Sequence, residues 1–150
     1  MKGFAAFVLC LSLISVAHGK VYERCELART LLNTYGFSRS TLGDWVCLVK
    51  HESSYNTAAK GGPNGGSGVT SGSYDWGLFQ VNDYYWCYVS TNPAYNDCNV
   101  NCANLLDDNI ADDVACAKKI HGRHGFDAWY GWINNCKGTN TESWVSDCGV

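Results

Sequence analysis

Apolar residues recur at every third or fourth position in four stretches of the chain. These stretches are residues 21–35, 42–49, 105–120 and 129–133. The spacing places the apolar side chains of each stretch on one face of a helix. We therefore predict four helices, with Ser40 as the N-cap of the second.

Between the second and third of these stretches the pattern changes twice. Residues 61–73 are rich in Gly, Ser, Thr and Asn, which is typical of loops and turns. Residues 74–89 are aromatic and β-branched, which predicts a small antiparallel sheet. The order of helices, sheet and helices predicts an α+β fold, with a helical lobe, a small antiparallel β-sheet lobe and a cleft between them.

The beginning of the chain has the pattern of a secretory signal. Lys2 is followed by an apolar run at residues 4–16 and then by the small-residue site at residues 17–19. A membrane anchor is the alternative, but this run is shorter than the roughly 20 residues that a bilayer-spanning helix requires. We predict that the signal at residues 1–19 is removed. Residues 20–150 would then form one secreted, extracellular domain without a membrane anchor.

Nine cysteines are present, and Cys10 lies inside the predicted signal. The others are even in number, which in an oxidising compartment favours four disulfides, although the count alone allows about 105 pairings. A zinc site is the alternative, and the close pair Cys98 and Cys102 is its best support. The sequence offers no second close pair of Cys or His residues to complete a tetrahedral site, so we predict disulfides.

The charge of the mature chain argues against a nucleic-acid partner. Removal of Lys2 with the signal leaves 10 Lys and Arg against 14 Asp and Glu, a net charge of −4 with His neutral. Nucleic-acid-binding domains carry a basic patch, and Lys118-Lys119 is too small to be one. We therefore expect no nucleic acid among the partners.

Glu52 is the first of two carboxylates that could carry chemistry. It follows Val49 by three residues and Trp45 by seven, so it continues the apolar face of the second predicted helix. Burial there would raise its pKa and leave a proton available for a glycosidic oxygen. The alternative is a surface glutamate at a frayed helix end, which periodicity alone does not exclude.

Asp75 is the second carboxylate, and its surroundings are polar. Ser73, Gln80 and Asn82 are near it in sequence or across the predicted strand pairing, and their hydrogen bonds would keep it ionised. The alternative is a turn-forming Asp before Gly77. A neutral acid paired with an anion is what a glycosidase needs, so we predict that Glu52 and Asp75 act together.

The chain resembles the chicken-type (c-type) lysozymes over the whole of residues 20–150, including all eight mature cysteines in family order. The segments that carry the resemblance are Lys20-Val-Tyr-Glu-Arg-Cys-Glu-Leu-Ala, Trp45-Val-Cys-Leu-Val-Lys-His-Glu-Ser, Tyr74-Asp-Trp-Gly-Leu-Phe-Gln-Val-Asn and Cys116-Ala-Lys-Lys-Ile. It implies that Glu52 is the general acid and Asp75 the nucleophile or oxocarbenium stabiliser. Retention of configuration is also implied, for which the carboxyl groups lie only about 5–5.5 Å apart.

The resemblance also implies partners, contacts and disulfides. The substrate would be bacterial cell-wall peptidoglycan, with chitin oligomers as a second substrate, and the protein would be a monomer that needs no cofactor for catalysis. The implied saccharide contacts are Asn82, Tyr85, Trp86, Ala128 and Trp129, the last also packing against Glu52. We expect Trp45 and Trp132 to belong to the core instead. The implied disulfides are Cys25–Cys148, Cys47–Cys136, Cys87–Cys102 and Cys98–Cys116.

One departure from the family concerns the connection between Glu52 and Asp75, which is longer than usual and rich in glycine. The glycines are Gly61, Gly62, Gly65, Gly66, Gly68 and Gly72. This connection would border the leaving-group side of the cleft. We therefore expect binding on that side to differ from that of the relatives.

Four aspartates fall within the short segment 107–113, where they would repel one another. Calcium prefers such oxygen ligands, although the central glycine and bidentate glutamate of an EF-hand are missing. The segment resembles the calcium loop of alpha-lactalbumin and of the calcium-binding lysozymes. That resemblance implies a structural Ca²⁺ ion, bound by the side chains of Asp107, Asp112 and Asp113 and the carbonyl groups of Asn104 and Asn109. Alternatively, Asp112 and Asp113 complement the N-terminal end of the following helix.

A non-enzymatic function is the alternative to hydrolysis. Lysozyme-like folds also serve as calcium-binding saccharide-binding or regulatory modules, as in the alpha-lactalbumins, which lack the acid pair. This chain has both Glu52 and Asp75. The sequence therefore favours the hydrolase.

Overall fold

A computed structural model describes residues 19–65, 72–89 and 95–150 of the chain. Most of the predicted signal and the middle of the glycine-rich connection, with Gly66 and Gly68, lie outside these residues. The α-helices are α1 (Arg24–Arg29), α2 (Leu42–Ser53), α3 (Ala111–His124) and α4 (Tyr130–Asn135). The strands are β1 (Lys60–Asn64), β2 (Ser73–Trp76) and β3 (Val81–Asn82).

Helices α1 and α2 form where the apolar spacing predicts them. The first begins with a capping box between Glu23 and Glu26 and continues as a π-helical turn at Thr30–Thr34. The second buries its apolar stripe and ends at Ser53, and the next residue, Ser54, has a left-handed conformation with φ of 51°. The prediction that Ser40 caps α2 is wrong, because a 3₁₀ turn at Arg39–Thr41 precedes the helix.

The third apolar stretch is not one helix. A 3₁₀ helix covers Cys102–Leu106, and α3 begins only at Ala111. Between them the Asp107 carboxylate accepts a hydrogen bond of 2.8 Å from the Asn109 backbone N–H. Such local side-chain bonds compete with helical hydrogen bonding. The helix predicted over this stretch is therefore interrupted at the aspartates. The short helix predicted around Trp132 is α4.

The sheet is antiparallel with the order β1-β2-β3. Strand β1 lies partly in residues 61–73, for which the composition predicted only loops and turns, so that prediction is wrong there. Gly61 permits the strand because a Cβ atom at this position would lie 2.7 Å from Oε1 of Gln80. Here glycine leaves room for the side chain of Gln80, which lies between β2 and β3, rather than forming a turn.

A common core joins the two lobes. Trp45 of α2 is 3% exposed and packs edge-on against Phe79 and Trp129, with ring centroids 5.8 and 5.6 Å away. Nε1 of Trp129 donates a 2.8 Å hydrogen bond to the carbonyl oxygen of Phe79. This buried bond connects the residue that precedes α4 to the segment between β2 and β3, and it fixes one side of the cleft against the other.

Four disulfides close the structure, and they join the pairs that the family resemblance implies: Cys25–Cys148, Cys47–Cys136, Cys87–Cys102 and Cys98–Cys116. The second attaches the C-terminal end of α4 to α2, the helix that carries Glu52. Within residues 19–65, 72–89 and 95–150, no helix is long and apolar enough to cross a membrane.

Candidate catalytic cleft

Glu52 lies in the last turn of α2 and is half-buried. Burial raises the pKa of its carboxyl group above the usual value, and the negative charge of Asp75 acts in the same direction. The Gly131 backbone N–H partly opposes this by donating a 2.7 Å hydrogen bond to Oε1. A carboxyl group in this setting tends to hold its proton, as a general acid requires.

Asp75 lies on β2, and its two oxygens have different donors. The Asn82 amide on β3 donates a 2.7 Å hydrogen bond to Oδ1, and the Asn64 amide on β1 donates to Oδ2. Neighbours on both adjacent strands therefore fix the plane of the carboxylate. Of the three residues expected to bond to Asp75, only Asn82 does so in the described structure: Ser73 accepts from Asn82, and Gln80 donates to backbone carbonyls instead.

The two carboxylates line one cavity of about 700 Å³ between the lobes. A neighbouring cavity of about 880 Å³ continues the groove away from them. The residues that both cavities share are Tyr85, Trp86 and Ala128. The groove is thus longer than the region around the carboxylates, which suits an extended ligand.

All five predicted saccharide contacts line the cavity that contains Glu52 and Asp75: Asn82, Tyr85, Trp86, Ala128 and Trp129. Tyr85 is 55% exposed, whereas Trp129 is only 4% exposed and belongs mainly to the core. Trp45 is core as expected. Trp132 is less buried than expected, and its indole N–H donates a 3.0 Å hydrogen bond to Asp44.

Reasoning from the sequence did not find several residues of the cleft, among them Asn64, Gly131 and Tyr130. Asn64 lies in the glycine-rich stretch that was assigned to loops, and Gly131 acts through its backbone N–H, for which a sequence carries no signal. Tyr130 lines the cavity but falls outside the apolar stripe of α4. The pairing of β1 with β2 was the information needed to place Asn64 beside Asp75.

The acidic loop lies apart from the residues that line the cavities. Asp113 is completely buried, and among the described residues its Oδ2 atom has no hydrogen-bond partner. Burial and the nearby charge of Asp112 raise the pKa of Asp113 to about 8. Asp108 instead accepts hydrogen bonds of 2.7 Å from the Lys20 backbone and the Thr57 hydroxyl.

Comparison with known proteins gives a consistent result. A family model for the C-type lysozyme/alpha-lactalbumin family matches residues 20–148. The chain is 44% identical over 149 residues to Lysozyme c-1 of Anopheles gambiae, covering 99% of each protein. It is 45% identical over 150 residues to the tracheal isozyme of lysozyme C of Bos taurus, covering 97% of this chain and 99% of the relative.

The fold comparison agrees with these sequence matches. The crystal structure of lysozyme from Equus asinus superimposes with a TM-score of 0.75 at 38% identity, covering 87% of this chain and all of that one. Canine milk lysozyme gives a TM-score of 0.76 at 37% identity, with the same 87% of this chain covered.

Proposed function

Since this chain belongs to the C-type lysozyme/alpha-lactalbumin family, we propose that it is a secreted glycoside hydrolase acting on bacterial peptidoglycan. It cleaves the β-1,4 bond between N-acetylmuramic acid and N-acetylglucosamine with retention of configuration. The observation that carries the proposal is the contrast between two carboxylates that line one cavity. Glu52 has a raised pKa from burial, and Asp75 accepts amide hydrogen bonds on both oxygens.

The geometry supports the division of roles long assigned to lysozymes. Glu52 donates its proton to the bridging oxygen as the bond from that oxygen to the anomeric carbon breaks. Asp75 supplies the electron pair that forms a bond to the anomeric carbon, and Asn64 and Asn82 hold its oxygens in position. Glu52, now ionised, then takes a proton from water as the water displaces Asp75.

Substrate binding follows from the groove. Tyr85 and Trp86 offer aromatic surface to sugar rings, and the exposed Ala128 offers backbone groups to an N-acetyl substituent. The same unit occurs in chitin oligomers, which would be a second substrate. The Asn82 side chain is already bonded to Asp75 and Ser73, so its contact with saccharide would come from its backbone.

A cell-wall clearing assay tests this function. We expect Glu52→Gln to lower the clearing rate by at least about 100-fold, because the amide has no proton to donate at working pH. Glu142→Gln is the matched control, since Glu142 is exposed and pairs with Arg39 outside the cleft. Equal activity of parent and Glu52→Gln would contradict the proposal. An inactive but folded parent would favour the saccharide-binding or regulatory module of alpha-lactalbumin type.

We also propose a structural calcium ion in the acidic loop, with no part in catalysis. Asp113 supports it, because its buried Oδ2 has no hydrogen-bond partner in the described part of the chain, and burial together with the charge of Asp112 raises its pKa. The oxygen donors fit calcium by their chemistry. The ion would be bound by the side chains of Asp107, Asp112 and Asp113 and the carbonyl groups of Asn104 and Asn109.

Secretion is part of the same proposal. Four disulfides are typical of an oxidising compartment, and the family match begins at residue 20, the first residue after the predicted signal. Sequencing the N-terminus of the protein exported by a eukaryotic host would test it. The expected first residue is Lys20.

A further inference from the structure

Tyr130 is the most exposed large apolar side chain in the described part of the chain, at 80%. It nevertheless lines the cavity that contains both carboxylates. An aromatic ring left so open contributes little to packing, so folding alone gives no reason for it.

The backbone that carries this ring is firmly held. The next residue, Gly131, donates its N–H to Glu52, and the preceding residue, Trp129, is bonded through its indole to Phe79. Cys136, just after α4, is joined to Cys47 of α2. The ring of Tyr130 is therefore exposed to solvent on a fixed support beside the proposed general acid.

The position of Tyr130 along the groove indicates which sugar it meets. The neighbouring cavity begins at Tyr85, Trp86 and Ala128 and is lined by neither carboxylate, and Tyr130 does not contribute to it. Tyr130 instead lines the cavity that contains Glu52, and the residue after it, Gly131, is hydrogen-bonded to Glu52. Because the acid protonates the oxygen of the departing sugar, the groups around the acid face that sugar.

We propose that Tyr130 is a specificity-determining residue that packs its ring against the sugar on the leaving-group side of the scissile bond. This inference rests on the proposed hydrolase function and adds a contact that the sequence did not predict. Asn64, Ser73 and Gln80 contribute polar side chains to the same cavity. An aromatic face together with amide and hydroxyl groups forms a suitable site for a pyranose ring.

Comparing two substrates distinguishes a contact between Tyr130 and the leaving sugar from a general effect of the substitution on the cleft. One is a hexamer of N-acetylglucosamine, in which a sugar leaves. The other is the β-fluoride of the trimer, in which fluoride departs with the electron pair of its bond to the anomeric carbon and water supplies the hydroxyl group. Fluoride is too small to reach the tyrosine ring.

We expect Tyr130→Ala to lower kcat/KM for the hexamer by about 3- to 10-fold, the range expected for one aromatic contact. Activity on the fluoride should stay within about twofold of the parent. Tyr130→Phe should behave like the parent on both substrates, because it keeps the ring. Tyr88→Ala is the control, since Tyr88 is an exposed tyrosine that lines neither cavity.

Transfer to an acceptor gives a second measurement. With the fluoride as donor and free N-acetylglucosamine as acceptor, the acceptor occupies the leaving-group side, so Tyr130→Ala should lower the ratio of transfer to hydrolysis about 3-fold or more. Equal losses on both substrates, or an unchanged hexamer rate and transfer ratio, would overturn the role of Tyr130. An inactive parent would instead overturn the proposed hydrolase function.

Discussion

At the scale of single residues, Glu52 owes its properties to its position on a buried helix face. Burial raises the pKa of its carboxyl group, and the hydrogen bond that the Gly131 backbone donates does not cancel that effect. The spacing of Glu52 to Trp45 and Val49 placed it on the apolar face of the helix, but left a surface glutamate at a frayed helix end as the alternative. The donor belongs to a segment 79 residues away, and helical spacing gives no information about such a contact.

The raised pKa of Glu52 carries a stability cost that a variant should reveal. Because the folded pKa lies above the unfolded one, stability falls as pH rises from the unfolded pKa through the folded pKa. Glu52→Gln removes this loss, so its stability relative to the parent should increase over that window and then level off. Urea unfolding from pH 3 to 8 measures it.

Glu142→Gln supplies the contrasting control for that series. Its hydrogen bond with Arg39 lowers the pKa of Glu142, so the parent gains stability from this group as pH rises, and the variant should fall behind the parent. If both variants gained stability with rising pH, a change in total charge would explain the Glu52→Gln effect better than burial.

At the scale of elements, apolar spacing was a reliable guide to helices, and composition was a poor guide to strands. The spacing of Trp45 and the apolar residues near it predicted α2, whereas the glycine-rich composition of β1 did not predict a strand. The aspartates between residues 107 and 113 also ended a stripe that apolar spacing alone would have continued. In each case, hydrogen bonding or close approach between segments overrode local preference.

Calcium binding to the acidic loop should raise the thermal stability of the protein. At a calcium concentration about 100 times Kd, binding would stabilise the fold by about 2.7 kcal/mol, so a chelator should lower the melting temperature by several degrees. Asp113→Asn should abolish this response. Asp108→Asn should retain it, because Asp108 bonds to Lys20 and Thr57 and is outside the proposed ligand set.

Differential scanning calorimetry with calcium, magnesium and chelator measures these responses. Identical melting curves for the parent with calcium and with chelator would contradict the calcium site. A loss of the response in Asp108→Asn alone would contradict the proposed ligand set.

At the scale of the whole molecule, two of the disulfides should have different effects on stability and on activity. Cys25–Cys148 joins segments 123 residues apart, and Cys87–Cys102 lies next to Trp86 of the cleft. The first bond therefore constrains the unfolded chain, whereas the second also holds a wall of the proposed active site.

Removal of each bond by paired Cys→Ala substitution should separate these effects. Loss of Cys25–Cys148 should cost about 2–5 kcal/mol of stability yet leave clearing activity within about twofold at temperatures where the variant is folded. Loss of Cys87–Cys102 should also reduce activity in the folded state. Denaturant unfolding and clearing assays at low temperature measure both, and equal activity of the two variants would contradict this difference.

The sequence by itself determined the apolar faces of α1 and α2, the place of Glu52 at the end of the second of these faces, and the eight cysteines outside the predicted signal, because periodicity and composition are local properties of a chain. The tertiary structure decided which groups surround the two carboxylates. The Asn64 amide donates to Asp75, the Gly131 backbone N–H donates to Glu52, and Tyr130 lines the same cavity. Strand pairing and helix packing bring these groups together across long stretches of chain. The proposed chemistry depends on both, since a carboxylate supplied by the sequence takes its role from the groups that the fold places around it.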